Sequence, residues 1–186
     1  MEMKRYNPNS HHRQSIRLKG YDYSQSGLYF ITICTQNREN ILGEIKNGEM
    51  VLNEYGQIAY DEWFNLPKRS CIVKPDVFVV MPNHIHGVIQ ITVGAPLAGA
   101  RNAGAWVNRA PARGAPTTTI GNIVGAYKSL VSNRCLDIYK SKNIIMGKLW
   151  QRNYYEHVIR NEKDYVKISE YILNNPINWL EDTYHG

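Results

Sequence analysis

The stretch from Val79 to Ile91, Val-Val-Met-Pro-Asn-His-Ile-His-Gly-Val-Ile-Gln-Ile, restricts the fold more than any other part of this chain. A β-branched run breaks at Pro82-Asn83 and resumes as an alternating strand that opens with two histidines. Side chains in a strand alternate between faces. His84 and His86 therefore share one face, while Ile85, Ile89 and Ile91 point the other way, into a core. The pattern predicts two adjacent strands joined by a Pro-Asn turn, with two imidazoles side by side at its edge. That is a suitable frame for a metal ion. Two histidines fall short of the four ligands of a structural zinc site, so an ion here keeps positions open for substrate oxygens and needs a further ligand from elsewhere in the chain. Surface histidines on a half-exposed strand are the alternative reading.

The chain of 186 residues, 43% hydrophobic, is long enough for one good core, and a single domain over residues 1–186 is expected. A net charge of +6 favours a polyanionic partner, with nucleic acid first among them. Cys34, Cys71 and Cys135 are odd in number and scattered, which indicates neither a disulfide framework nor a zinc knuckle. The polar N-terminus does not read as a signal peptide and no apolar run approaches membrane-spanning length, so a cytoplasmic location and no membrane partner are expected.

The basic segment 1–20 reads as an arm that is either solvated or laid on a phosphate backbone, through residues such as Arg13, Arg17 and Lys19. Gly27 to Thr35 reads as a first strand. Asn47-Gly48 joins two short strands in a tight hairpin, because both residues tolerate positive φ. A helix is expected over Glu54 to Leu66, stopped by Pro67, and a strand over Ile72 to Met81 with Pro75 at its entrance. Residues 93–119, rich in Gly, Ala and Pro, read as a flexible insertion; its arginines leave open a sequence-tolerant nucleic-acid contact. Ile120, Ile123, Val124, Tyr127, Leu130 and Val131 recur at helical spacing, making an amphipathic helix to about Tyr139. Tyr154 to Ile159 reads as the last strand. Asn161 then caps a helix running from Glu162 to about Asn174, with Tyr165, Ile168 and Ile172 as its buried stripe.

Tyr171 and Asn175 lie four apart, so they share a face near the end of that helix. Beside a two-histidine site, the amide oxygen of Asn175 is a candidate third ligand and the phenol of Tyr171 a candidate nucleophile. A free tyrosine titrates near 10, leaving on the order of one phenolate in a thousand at neutral pH, so a divalent ion has to assist. Mg²⁺ or Mn²⁺ suits an oxygen-rich, open site, and Mn²⁺ tolerates imidazole better. Tyr127 is the competing nucleophile, but it belongs to an apolar stripe. His157 is a further candidate ligand, on a strand whose register the sequence leaves open.

Met81-Pro82-Asn83-His84-Ile85-His86, Trp150 to Asn161, and Tyr171-Ile172-Leu173-Asn174-Asn175-Pro176 together resemble the REP-associated tyrosine transposases, in the single-tyrosine branch of the HUH endonucleases. Ser15 to Tyr23 and Tyr29-Phe30-Ile31-Thr32 extend the resemblance over nearly the whole chain outside the insertion. It implies an α+β, ferredoxin-like fold, an antiparallel sheet with helices packed on one face. It also implies a metal-dependent endonuclease and strand transferase acting on single-stranded DNA near REP-like hairpins. By the same resemblance His84, His86 and Asn175 bind Mg²⁺ or Mn²⁺, Asn175 standing where insertion-sequence relatives place a glutamine. Tyr171 forms a 5′-phosphotyrosine link. Arg13, Arg17, Lys19, Arg152 and His157 are the candidate DNA contacts, in a monomer or a homodimer. Two alternatives remain: a replication initiator or relaxase of the same superfamily, and a non-catalytic single-strand-binding module. The aromatic strand of an RNA-recognition domain is absent from the sequence, and metal dependence separates cleavage from mere binding.

Overall fold

The computed structural model describes residues 25–92 and 119–185. The basic arm at 1–20, with Arg13, Arg17 and Lys19, lies outside those residues, as does the insertion except for Thr119. Strands β1 (Gly27–Cys34), β4 (Val73–Met81), β5 (His84–Ile91) and β6 (Tyr155–Ile159) form one antiparallel sheet in the order β4-β5-β1-β6. Helix α1 (Glu54–Phe64) lies between the first and second of these in chain order, and α3 (Ile120–Ser141) between the third and fourth. This is the β-α-β-β-α-β arrangement of a ferredoxin-like fold. A hairpin, β2 (Gly43–Lys46) and β3 (Glu49–Leu52), is inserted ahead of α1. Its turn has Asn47 and Gly48 at φ of 53° and 77°.

The central strand β1 is apolar on both faces. Tyr29, Ile31 and Ile33 enter the core under α1 and α3, while Phe30 faces the opposite way with Val88, Ile159 and Ile172. A strand with two apolar faces needs cover on both. The final helix α4 (Glu162–Asn174) supplies it, with Tyr165, Ile168 and Ile172 against the second face. The expected fold class holds. The expectation that all helices pack on one face is corrected, because α4 follows the βαββαβ unit and covers the side that α1 and α3 leave open.

Close approach fixes β5. A Cβ on Gly87 would stand 2.3 Å from Trp63 of α1 and 2.8 Å from Phe78 of β4, so only glycine fits. Trp63 and Phe78 stack at 4.5 Å over that position. Across α1 and α3, the buried Glu62 carboxylate accepts from Arg69 at 3.1 Å and Arg134 at 2.9 Å. Two proline readings change. Pro67 sits in the first turn of a second short helix, α2 (Leu66–Arg69), where its missing N–H costs nothing. Pro75 lies inside β4, where the ladder shifts register between Pro75 and Phe78; an edge strand tolerates this. Among the described residues no helix is long and apolar enough to cross a membrane.

Candidate metal centre and nucleophile

The β4–β5 turn delivers His84 and His86 to the face covered by α4, and both are fully buried. Asn83 sets the first ring. Its amide NH₂ donates to the carbonyls of Arg38 (3.2 Å) and Tyr184 (2.9 Å), so its oxygen accepts the His84 Nδ1–H at 2.8 Å. His84 Nε2 is thereby left with its lone pair. His86 Nδ1 lies 2.8 Å from the Thr32 hydroxyl, on the adjacent strand in register. The two Nε2 atoms face each other at 3.0 Å. Two ring nitrogens this close need a proton or a cation between them.

The carboxylate of Asp182 stands beside the pair, with ligand atoms of all three residues within 4.8 Å of one another. Adjacent ligands on one ion with bonds of about 2.1 Å lie about 3 Å apart, so the histidine spacing fits a single bound cation. Asp182 is oriented from two sides: Oδ2 accepts from Asn175 Nδ2 at 2.6 Å and Oδ1 from the Tyr184 N–H at 2.7 Å. Asn175 is 2% exposed, and its Oδ1 has no hydrogen-bond partner among the described residues. The amide expected as third ligand thus lies at the site and positions a carboxylate that sequence reasoning missed.

Tyr171 reaches the same point from α4. Ile172 and Ile168 anchor the helix against the sheet, and the Tyr165 hydroxyl donates to Asp76 of β4 at 3.2 Å. Tyr171, one residue before the buried Ile172, is 41% exposed, and its hydroxyl lies within hydrogen-bond distance, 3.1 Å, of His86 Nε2. Burial, then the charge of Asp182, holds its phenol well above the usual tyrosine range. Tyr127, the competing nucleophile, is buried on the other side of the sheet and donates to the Ala59 carbonyl at 2.8 Å. His157 is exposed on the edge strand β6, in register with Phe30, two residues along β1 from the row that contains Thr32 and His86. Arg152 is exposed in the segment preceding β6.

The C-terminal segment closes around the histidines. After α4 a 3-10 turn (Trp179–Glu181) brings Trp179 to 6.0 Å from the His84 ring, and Tyr184 stands at 4.8 Å. Arg38 donates to the Thr183 carbonyl at 2.9 Å and covers the Tyr184 ring. Thr32, Asn83, Asp182 and Tyr184 were not expected from sequence. The signals available were the face parity of Thr32 with Phe30 and the unusual aromatic content of so short a terminal segment.

Burial pushes His84 down to about 4, with Asp182 opposing and Arg38 assisting; burial and His84 push His86 well below the ordinary histidine value. Both rings are neutral at neutral pH, the form that binds metal. An unfolded histidine titrates near 6.5, so between that value and about 4 the unfolded chain holds more protons than the folded one. Stability therefore falls as pH is lowered through this window. Urea unfolding in chelator is expected to show a loss of about 2 kcal/mol from His84 alone between pH ~7 and pH ~5. An unchanged midpoint would mean that the histidines are solvated.

No protein-family model matches the chain. An uncharacterized Haemophilus influenzae protein is 44% identical over 180 residues, 96% of each chain. A second protein of that organism, provisionally named a REP-associated tyrosine transposase, is 24% identical over 160 residues, 84% of this chain and 73% of its own. Among solved structures, a REP-associated tyrosine transposase bound to a REP hairpin matches with a TM-score of 0.56 and 19% identity, over 86% of this chain and 72% of its own. At that identity the likeness is one of fold.

Proposed function

The chain belongs to one family with the 44%-identical Haemophilus influenzae protein and has the fold of a REP-associated tyrosine transposase, and from that premise we propose a metal-dependent nuclease and strand transferase. Its substrate is single-stranded DNA next to a REP-like hairpin. One observation carries the reading: a tyrosine hydroxyl 3.1 Å from a ring nitrogen of the paired histidines, with a carboxylate beside them. His84, His86 and Asp182 would hold the ion, with Asn175 bracing Asp182. Mg²⁺ or Mn²⁺ suits a nitrogen and oxygen donor set of this kind. When bound, it polarises the scissile phosphate and offsets the charge that develops there.

The Tyr171 oxygen attacks phosphorus and the bond from phosphorus to the 3′ oxygen breaks. The phenolic proton passes to solvent and the departing oxygen takes one up. The products are a 5′-phosphotyrosine and a free 3′-hydroxyl. Because one phosphodiester replaces another, a 3′-hydroxyl from a second strand reverses the step without ATP. The net positive charge and the hairpin bound by the similar solved protein support a DNA partner, encountered in the cytoplasm by a monomer or homodimer.

Covalent trapping tests the proposal. The full chain with hairpin oligonucleotides from the flanks of its own gene is expected to give a denaturant-resistant adduct in Mn²⁺ or Mg²⁺ and none in chelator. Adduct of equal yield in chelator would exclude the metal-dependent mechanism.

A further inference from the structure

On the α3 side of the sheet, at the same end as the histidines, an open groove of about 310 Å³ runs between α3 and the segment 148–152. Lys128, Ser129 and Ser132 of α3 form one wall, and Lys148 and Arg152 stand on the other. Buried Trp150 lies between them, and none of the lining residues is acidic. The groove is braced from below. Lys128 donates to the carbonyls of Gln151 (2.6 Å) and Arg152 (3.1 Å), which ties the segment to the helix. Lys148 and Arg152 are exposed and make no side-chain ion pair among the described residues. Besides Lys128, two exposed cations and two hydroxyls thus line one channel, with no carboxylate among the lining residues.

The position of the groove says what it serves. The Gln151 N–H donates to the Cys34 carbonyl at 3.0 Å, the Gln36 N–H to the Leu149 carbonyl at 2.8 Å, and Thr35 bridges to Trp150. Cys34 is itself the register partner of His84, on the other side of β1. The segment therefore runs two strand spacings, roughly 10 Å, from the backbone of His84. An extended nucleic-acid strand crosses such a gap within a few nucleotides.

We propose that this groove holds backbone phosphates of the DNA strand that flanks the scissile position, with Lys148 and Arg152 as the contacting cations and the Ser129 and Ser132 hydroxyls as neutral donors. The inference rests on the nuclease reading above and adds a second DNA-binding surface on the face opposite α4. Its recognition is of charge and not of sequence, because exposed cations on flexible stems hold phosphates without fixing the register of a base edge.

The test is equilibrium binding of a fluorescent hairpin oligonucleotide with a single-stranded flank, in chelator so that nothing is cleaved, across a salt series. Lys148→Gln/Arg152→Gln is compared with wild type and with Lys163→Gln/Lys167→Gln, which removes the same charge from exposed positions of α4. Each cation withdrawn from a single-strand phosphate lowers the salt slope by about 0.7, so the groove variant is expected to lose about 1.4 and to bind on the order of twenty-fold more weakly at 0.1 M salt. Its melting midpoint stays at the wild-type value, because both side chains are exposed. A groove variant indistinguishable from wild type, or an equal loss in the α4 control, overturns the inference. Groove-dependent binding without any Tyr171-dependent adduct would instead sink the catalytic reading and leave the groove standing. Failure of the wild-type chain to bind any hairpin oligonucleotide would remove both.

Discussion

Tyr171→Phe is expected to eliminate the covalent protein–DNA adduct while hairpin binding in chelator stays within about two-fold of wild type. On the proposed mechanism the substitution removes the attacking oxygen and little else. The ring still meets Phe30 at 6.2 Å and His86 at 5.0 Å, and Ile172 still anchors α4. Without the hydroxyl, one hydrogen bond to His86 goes, about 1 kcal/mol of stability. Loss of a nucleophile costs on the order of 10⁴-fold or more in rate, so the adduct falls below detection on a denaturing gel. Persistent adduct would overturn the assignment and direct attention to Tyr184, whose ring lies 4.8 Å from His84 and 5.5 Å from His86. Tyr127 is not a reserve nucleophile. Its hydroxyl is sealed under α1 on the far side of the sheet, and burial holds its phenol well above the ordinary range.

His86→Ala is expected to abolish stabilisation by divalent ions. An ion that binds only the folded chain adds about 2.7 kcal/mol at a hundred times its Kd, which corresponds to roughly 5–10 °C in Tm for a chain of this size. Wild type in Mn²⁺ should show that rise relative to chelator, and His86→Ala less than about 1 °C of it. Asp182→Asn keeps the hydrogen bond from the Tyr184 N–H but loses the charge, so an intermediate shift is expected. An undiminished rise in His86→Ala would place the ion elsewhere on the protein.

Much of this site is local in origin and was legible for that reason. Face parity put His84 and His86 together, opposite Ile85 and Ile89, because alternation is a property of any strand. Asn161 caps α4, accepting from the Asp164 N–H at 2.9 Å, and Tyr165, Ile168 and Ile172 form its inner stripe. Asn47-Gly48 turns the hairpin through positive φ. Each of these features depends only on residues within one or two turns of one another.

The sequence by itself therefore determined most of the elements and the strand or helix face on which His84, His86 and Tyr171 stand. Tertiary structure decided which faces meet. Tyr171 touches His86 across 85 positions of chain only because α4 crosses the side of the sheet left open by α1 and α3, and that choice follows from the two-sided apolarity of β1. Asp182 lies beyond the last regular helix and shows no periodicity. It enters the site through the contacts of Asn175 and Tyr184, which exist only once the terminal segment has folded back over the histidines. The burial that keeps both imidazoles neutral has the same source: a strand pattern specifies direction, whereas exclusion of water is a collective result of everything packed above it.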